Sequence, residues 1–304
     1  GTPSLHAVLP LQPRNETRSV WRRRPACESE SGASRTDAVQ AFVCRLAVAC
    51  ETSARLNAAS RYTHGMSARP PRHIYEGAEF LTPGAADTID LISRTFSLDE
   101  RSRVLEVAYG TGEGACRLAE RRQCSVLGVD THPFAKHTAR TGAARGVADR
   151  VAFAIGDGGR LPVRDAAFDA AICIGAPSIV GTERCLVAMR RALLSGGWLA
   201  VSDWVWRATP VPHEAIPSGF DAPTLTLDAY AGVIRAAGFE IVSAEALPRS
   251  AWDDYYEPIR KNLAAMRAAD PGLPHSQIDD ELRVWDSGSG PEWWVYGVFV
   301  ARAE

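Results

Sequence analysis

An α/β chain wound around a mostly parallel sheet is the fold class this sequence predicts, and three observations predict it. From Arg103 onward, short apolar runs alternate with helical stretches of about ten residues, the pattern of repeated strand–helix units. A glycine-rich turn joins the first apolar run to the first helix, and an aspartate closes or follows the next two runs, where doubly wound sheets present their ligand-facing edge. The chain is also long and apolar enough for a full core, with 304 residues, 46% hydrophobic and 23% charged.

Taken in order, residues 1–65 read as an Arg-rich leader, non-native or disordered, with nine arginines against five acids and no sustained periodicity. The first methionine is Met66, just before a Pro-containing segment, so the domain proper is expected over 66–304. An organelle transit segment, or a helical arm over Asp37 to Asn57, are the other readings of the leader. Strands are predicted at Val104 to Ala108, Ser125 to Val129, Val151 to Ile155, Ala167 to Ile174 and Trp198 to Ser202. Helices fall between them near Gly112 to Arg121, Phe134 to Ala144 and Glu183 to Leu194, the last stopped by Ser195-Gly196-Gly197. A helix over Leu227 to Ala237, a strand at Glu240 to Ala244 and a final strand at Trp293 to Ala301 follow. Between the last two strands, about 248–291 form an insertion. There Trp252, Tyr255, Tyr256, Ile259, Leu263 and Met266 follow helical spacing, with Pro258 kinking the helix or marking its start.

Composition narrows the function. The net charge of −2, with six more acids than bases over 66–304, offers no basic field for nucleic acid, although Arg117, Arg121 and Arg122 leave a local patch open. The 7 cysteines form no C-x-x-C pair and fit a reducing cytoplasm. No run approaches the roughly 20 apolar residues of a membrane span. His132 and His137 are five apart and share no helical face, so no metal is implied.

The turn Glu106-Val107-Ala108-Tyr109-Gly110-Thr111-Gly112-Glu113-Gly114-Ala115 lets the backbone bend sharply toward a ligand before a helix begins. Gly110, Gly112 and Ala115 also satisfy the G-x-G-x-x-G/A dinucleotide fingerprint, so the turn alone leaves NAD and other adenosine cofactors open. A phosphate-binding P-loop is excluded, because Lys136 and Lys261, the two lysines of the chain, lie outside the turn. Glu106 sits inside an apolar strand, where a carboxylate needs a cation or donors. A pyrophosphate would repel it and the ammonium of an amino-acid-bearing cofactor would suit it, which favours S-adenosylmethionine. Asp130 is placed to accept from the two ribose hydroxyls. Asp157, in Gly156-Asp157-Gly158-Gly159, is placed to accept from an adenine amino group.

These residues in this order, with Leu161-Pro162, Ala167-Phe168-Asp169 and Leu194-Ser195-Gly196-Gly197-Trp198 after them, resemble the class I S-adenosylmethionine-dependent methyltransferases. The nearest branch is the small-molecule one related to ubiquinone and menaquinone biosynthesis. The resemblance covers about residues 75 to 245. It implies a Rossmann-like seven-stranded sheet in the order 3-2-1-4-5-7-6 with the last strand antiparallel. It further implies that Glu106, Gly110 and Gly112 surround the methionine part of the cofactor, with Asp130 at the ribose, Asp157 and Gly158 at the adenine and Ile174 to Ala176 below the sulfonium. The chain departs from the family in having Ala108 where Gly is usual, and Tyr109, which is expected to reshape the methionine end.

Methyl transfer from a sulfonium is a direct displacement, which needs alignment more than a dedicated catalytic group. Acceptor walls are expected from Tyr75, Trp204, Tyr255 and Tyr256, and seven of the 8 Trp follow residue 197. The same rings equally suit the core of a helical lid. His213 is the candidate general base if the acceptor is a hydroxyl. The expected function is therefore an S-adenosylmethionine-dependent methyltransferase of a small-molecule acceptor, cytoplasmic, without a nucleic-acid or membrane partner. An NAD-dependent oxidoreductase and a non-catalytic cofactor-binding module are the alternatives.

Overall fold

The computed structural model describes residues 72–131, 141–218 and 225–304. The leader, His132, His137 and most of the helix expected over Phe134 to Ala144 lie outside the described residues; 141–144 are helical. Seven strands form one sheet: β1 (Arg103–Val107), β2 (Ser125–Asp130), β3 (Val151–Ile155), β4 (Phe168–Ile174), β5 (Leu193–Trp206), β6 (Phe239–Ala246) and β7 (Trp294–Ala303). Their order is β3-β2-β1-β4-β5-β7-β6, parallel except for β7, which runs antiparallel to both β5 and β6. The expected order and the antiparallel seventh strand are both present.

Alternation along β1 explains its layers. Leu105 and Val107 join one buried face with Leu127, Val129 and Phe168. Val104 joins the other, with Ile89, Cys116 and Leu118 of helices α1 (Ala85–Thr95) and α2 (Glu113–Arg122). Helices α3 (Pro177–Val180), α4 (Thr182–Ala192) and α5 (Leu227–Ala236) follow β4 and β5. Because β1 pairs with β2 on one side and β4 on the other, the chain reverses its winding there, and a crevice opens at the strands' carboxyl ends.

Two expectations are corrected. Strand β5 is longer than Trp198 to Ser202, and Ser195-Gly196-Gly197 lies within it rather than stopping the helix, which ends at Ala192. The partner register jumps from Phe168–Leu193 to Ala170–Trp198, so the glycines form a bulge, with Gly196 at φ 70°. Pro258 marks no boundary either. Helix α6 runs Ser250–Ala269 through it, held by buried Trp252, Tyr256, Ile259 and Leu263. With α7 (Gln277–Asp286) and α8 (Ser289–Trp293), α6 makes the insertion.

Candidate active site

The turn after β1 takes the left-handed region three times in five residues, with Ala108 at φ 57°, Gly110 at 52° and Gly112 at 76°. Two hydrogen bonds from β2 hold it: Ala108 N–H donates to Val129 O (2.7 Å) and Gly110 N–H to Asp130 Oδ2 (2.9 Å). Asp130 thus braces the turn as well as closing β2. The usual glycine of the family is missing at one of the positions where the backbone asks for it, since Ala108 carries a Cβ in a conformation that costs an L-residue about 1–2 kcal/mol.

Glu106 is buried on the α2 face of the sheet, 4% exposed. It accepts from the Ala115 N–H in the first turn of α2, and its Oε2 has no hydrogen-bond partner. A Cβ on Gly114 would fall 2.4 Å from its Oε1, so only glycine lets the helix start this close to the carboxylate. Burial, with the Asp130 charge adding to it, pushes the Glu106 carboxyl up to about 8.

Tyr109 does not act as expected. Its ring is 5% exposed and packs against Phe153 (4.7 Å between centroids), over Gly128, where a Cβ would lie 2.8 Å from it. The missing side chain at Gly128 makes room for the ring, so Tyr109 fills core and leaves its backbone at the turn. The readable signal was Gly128 facing Phe153 across β2 and β3.

At the end of β3, Asp157 Oδ1 accepts from Gly159 N–H (2.8 Å) and from Arg184 (3.1 Å), which leaves Oδ2 for a ligand. A Cβ on Gly158 would meet Val107 at 2.7 Å, which brings this loop against the tip of β1. Ile174 is half-buried at the end of β4, and Gly175 follows at φ 78°. A Cβ there would collide with Thr82 at 2.2 Å. The stretch Glu79 to Thr82 in fact lies across the tips of β1 and β4. Thr111 Oγ1 donates to Glu79 O (2.5 Å), Leu81 packs on Gly110, and Thr82 Oγ1 contacts the Tyr296 hydroxyl of β7. Sequence reasoning missed Leu81, Thr82 and Tyr296, which local pattern does not connect.

Below the rim, Asp203 of β5 is 2% exposed, and burial raises its carboxyl. It accepts from Ser178 N–H and Oγ (2.8 Å each) and from Tyr230 Oη (2.9 Å), which fastens β5 to α3 and α5. On the outer side of α2, the arginines considered as an anion patch are engaged. Arg117 pairs with Glu79 and Glu113, Arg121 with Asp90, and Arg122 donates to Leu98 O.

The acceptor candidates divide. Tyr256 is fully buried, and Trp252, Trp285 and Trp294 are each at most 3% exposed, so the lid-core reading holds for these rings. Tyr75, Trp204 and Tyr255 keep part of their surface accessible. Tyr255 Oη reaches Tyr75 Oη at 3.4 Å, and Trp204 contacts Trp252 edge-on at 5.3 Å between centroids. His213 is exposed on a 3-10 turn (His213–Ala215), and among the described residues no carboxylate orients it. No group of three potential metal ligands occurs among the described residues, nor any helix long and apolar enough to cross a membrane.

Residues 104–197, from β1 into β5, match a family model described as a methyltransferase domain. Over that stretch the chain is similar to a methyltransferase domain. Among curated proteins it is 27% identical over 172 residues to the uncharacterised protein YjhP of Escherichia coli strain K12, covering 54% of this chain and 68% of that protein. It is 29% identical over 165 residues to the 27-O-demethylrifamycin SV methyltransferase of Amycolatopsis mediterranei, covering 51% of this chain and 60% of that enzyme. The alignment thus spans less than two thirds of the rifamycin enzyme. In structure, the chain resembles a SAM-dependent methyltransferase from Thiobacillus denitrificans, solved with S-adenosyl-L-homocysteine. The TM-score is 0.65 at 22% identity, covering 79% of this chain and all of the other. These matches give the oxidoreductase and the non-catalytic alternatives no support.

Proposed function

We propose that this chain binds S-adenosylmethionine in the crevice at the carboxyl ends of β1 to β4 and methylates a small molecule, in the cytoplasm, with residues 66–304 as the catalytic unit. The observation that carries the reading is Glu106, a buried carboxylate with an unpartnered oxygen behind a left-handed glycine turn. The residues present fit the cofactor. Glu106 and the turn would hold its amino-acid end, Asp130 the ribose, and Asp157 Oδ2 with Gly158 the adenine. The sulfonium supplies an electrophilic methyl group when bound.

What remains for the chain is alignment and dryness. Glu79 to Thr82 covers the tips of β1 and β4 and excludes water there. Asp203 fixes α3 through Ser178 and so sets the floor after Gly175. A hydroxyl acceptor would release its proton as its oxygen takes the methyl group and the sulfur–methyl bond breaks, and His213, exposed to solvent, stands as the candidate base for that proton. The rifamycin relative methylates an oxygen on a small molecule, as its name states, which supports a hydroxyl acceptor for this chain.

The test is calorimetric binding of S-adenosylhomocysteine and, separately, NADH to the purified chain. The first should bind at micromolar concentration and the second not at all. Asp130→Ala should weaken binding by about ten- to a hundredfold, from the loss of charged hydrogen bonds. Asp130→Asn keeps an acceptor for Gly110 N–H and separates ribose binding from bracing of the turn. NADH binding alone would overturn the proposal.

A further inference from the structure

Asp157, the carboxylate assigned to the adenine, is held by more than its own loop. Its Oδ1 accepts from Gly159 N–H (2.8 Å), two residues on, and from the guanidinium of Arg184 on α4 (3.1 Å). The same Arg184 nitrogen donates to Val180 O (3.1 Å) at the end of α3. One guanidinium thus ties the loop after β3 to the helix after β4. The two segments also touch beside it, since a Cβ on Gly158 would lie 3.1 Å from the Val180 side chain.

The guanidinium has a seat of its own. A Cβ on Gly159 would fall 2.2 Å from Arg184 Nε and 2.7 Å from its Cζ. Gly159 lies outside the left-handed region, so the backbone of the turn does not require glycine there, and the missing side chain makes room for the arginine instead. The Arg184 side chain is 47% exposed and that of Asp157 25%. An ion pair this open to water contributes little to stability, so what Arg184 changes is where the Asp157 carboxylate points.

We propose that Arg184 is a positioning residue that, by holding Asp157 Oδ1, keeps Oδ2 turned toward the base of the cofactor and so makes the site select a 6-amino over a 6-oxo purine; the proposal rests on the S-adenosylmethionine reading. An amino group donates to the carboxylate, whereas an oxo group in its place is a second acceptor and repels it. A 6-oxo purine carries a proton on the adjoining ring nitrogen, and a carboxylate free to turn can accept that proton's bond instead. The bond from Gly159 N–H alone leaves the Asp157 side chain a pivot. The second bond, from Arg184, removes it.

The test compares S-adenosylhomocysteine with S-inosylhomocysteine, the same molecule with an oxygen in place of the adenine amino group, by titration calorimetry on the full chain. The wild type should prefer the first by about ten- to a hundredfold. Arg184→Gln should narrow that preference by about three- to tenfold, chiefly through tighter binding of the inosine compound, with the melting temperature unchanged. Gly159→Ala, whose methyl takes the seat of the guanidinium, should narrow it likewise. So should Arg184→Lys, which keeps the charge and loses the planar fork. Equal binding of the two compounds by the wild type, a preference unchanged in Arg184→Gln and Gly159→Ala, a loss of affinity by one common factor for both compounds, or full preference in Arg184→Lys would each overturn the proposal. Failure of S-adenosylhomocysteine to bind the wild type would instead bring down the cofactor reading, whereas normal binding with an unmoved preference brings down the role of Arg184 alone.

Discussion

The cofactor crevice and the helical insertion are built from opposite materials. The crevice is made of backbone. Its shape comes from left-handed residues at 108, 110 and 112, from Gly158 and Gly175, and from two carboxylates that reach across strand ends. The insertion is made of side chains, with Trp252 touching Trp204, Trp285, Trp294, Tyr256 and Tyr296 within 6 Å. A turn that must approach one ligand closely admits few residue types, whereas an aromatic cluster can fill its volume in many ways. Such a contrast leaves the crevice with little freedom of sequence and the insertion with more.

The largest test of that division is Trp252→Ala. Removing a ring that is 3% exposed should cost about 3–5 kcal/mol and lower the melting temperature by roughly 10 °C. S-adenosylhomocysteine affinity, measured below the transition, should stay within about threefold of wild type. An equal collapse of affinity would make crevice and insertion one cooperative unit and break the comparison.

A sharper test lies in Glu106. Its carboxyl stands at about 8 against an ordinary 4.5, so the group's contribution to stability is fully present below about 4.5 and is lost as pH rises through about 8. An ammonium needs the carboxylate, so complex formation below about 8 expels a proton. The affinity for S-adenosylhomocysteine should then climb by up to about tenfold per pH unit between about 6 and 8 and level off above. Titration calorimetry in buffers of different ionisation heat reads both the slope and the released proton, and Glu106→Gln should flatten them. A flat wild-type profile would mean that Glu106 only braces the helix.

The smallest effect belongs to Ala108→Gly. Relief of the left-handed alanine exceeds the entropy that glycine adds to the unfolded chain, for a net gain of about 0.5–1 kcal/mol. A rise of about 1–3 °C in melting temperature should follow, with ligand affinity unchanged. A fall would show that the Ala108 methyl packs usefully in the crevice wall.

Much of the crevice was legible because it is local in sequence. Glu106, Gly110 and Gly112 lie within seven residues, and Asp130 and Asp157 each sit where a strand runs out. Period alone predicted the strands and a doubly wound sheet, and the resemblance supplied the strand order and the antiparallel last strand. The bulge at Ser195-Gly196-Gly197 was misread because glycine stops a helix and bends a strand with equal ease. Pro258 marks no helix start because burial of one face of α6 outweighs one lost backbone bond.

By itself, then, the sequence determined the alternation of elements, the glycine turn and the carboxylates that face it, since these depend on neighbours a few residues away. Tertiary structure alone decided that Tyr109 drops onto Gly128, that Thr82 meets Tyr296 across 214 residues, and that Glu281 meets Tyr256. Those pairings follow from which faces the sheet and the insertion bury together, and no period along the chain encodes a contact between segments that meet only once the core has formed.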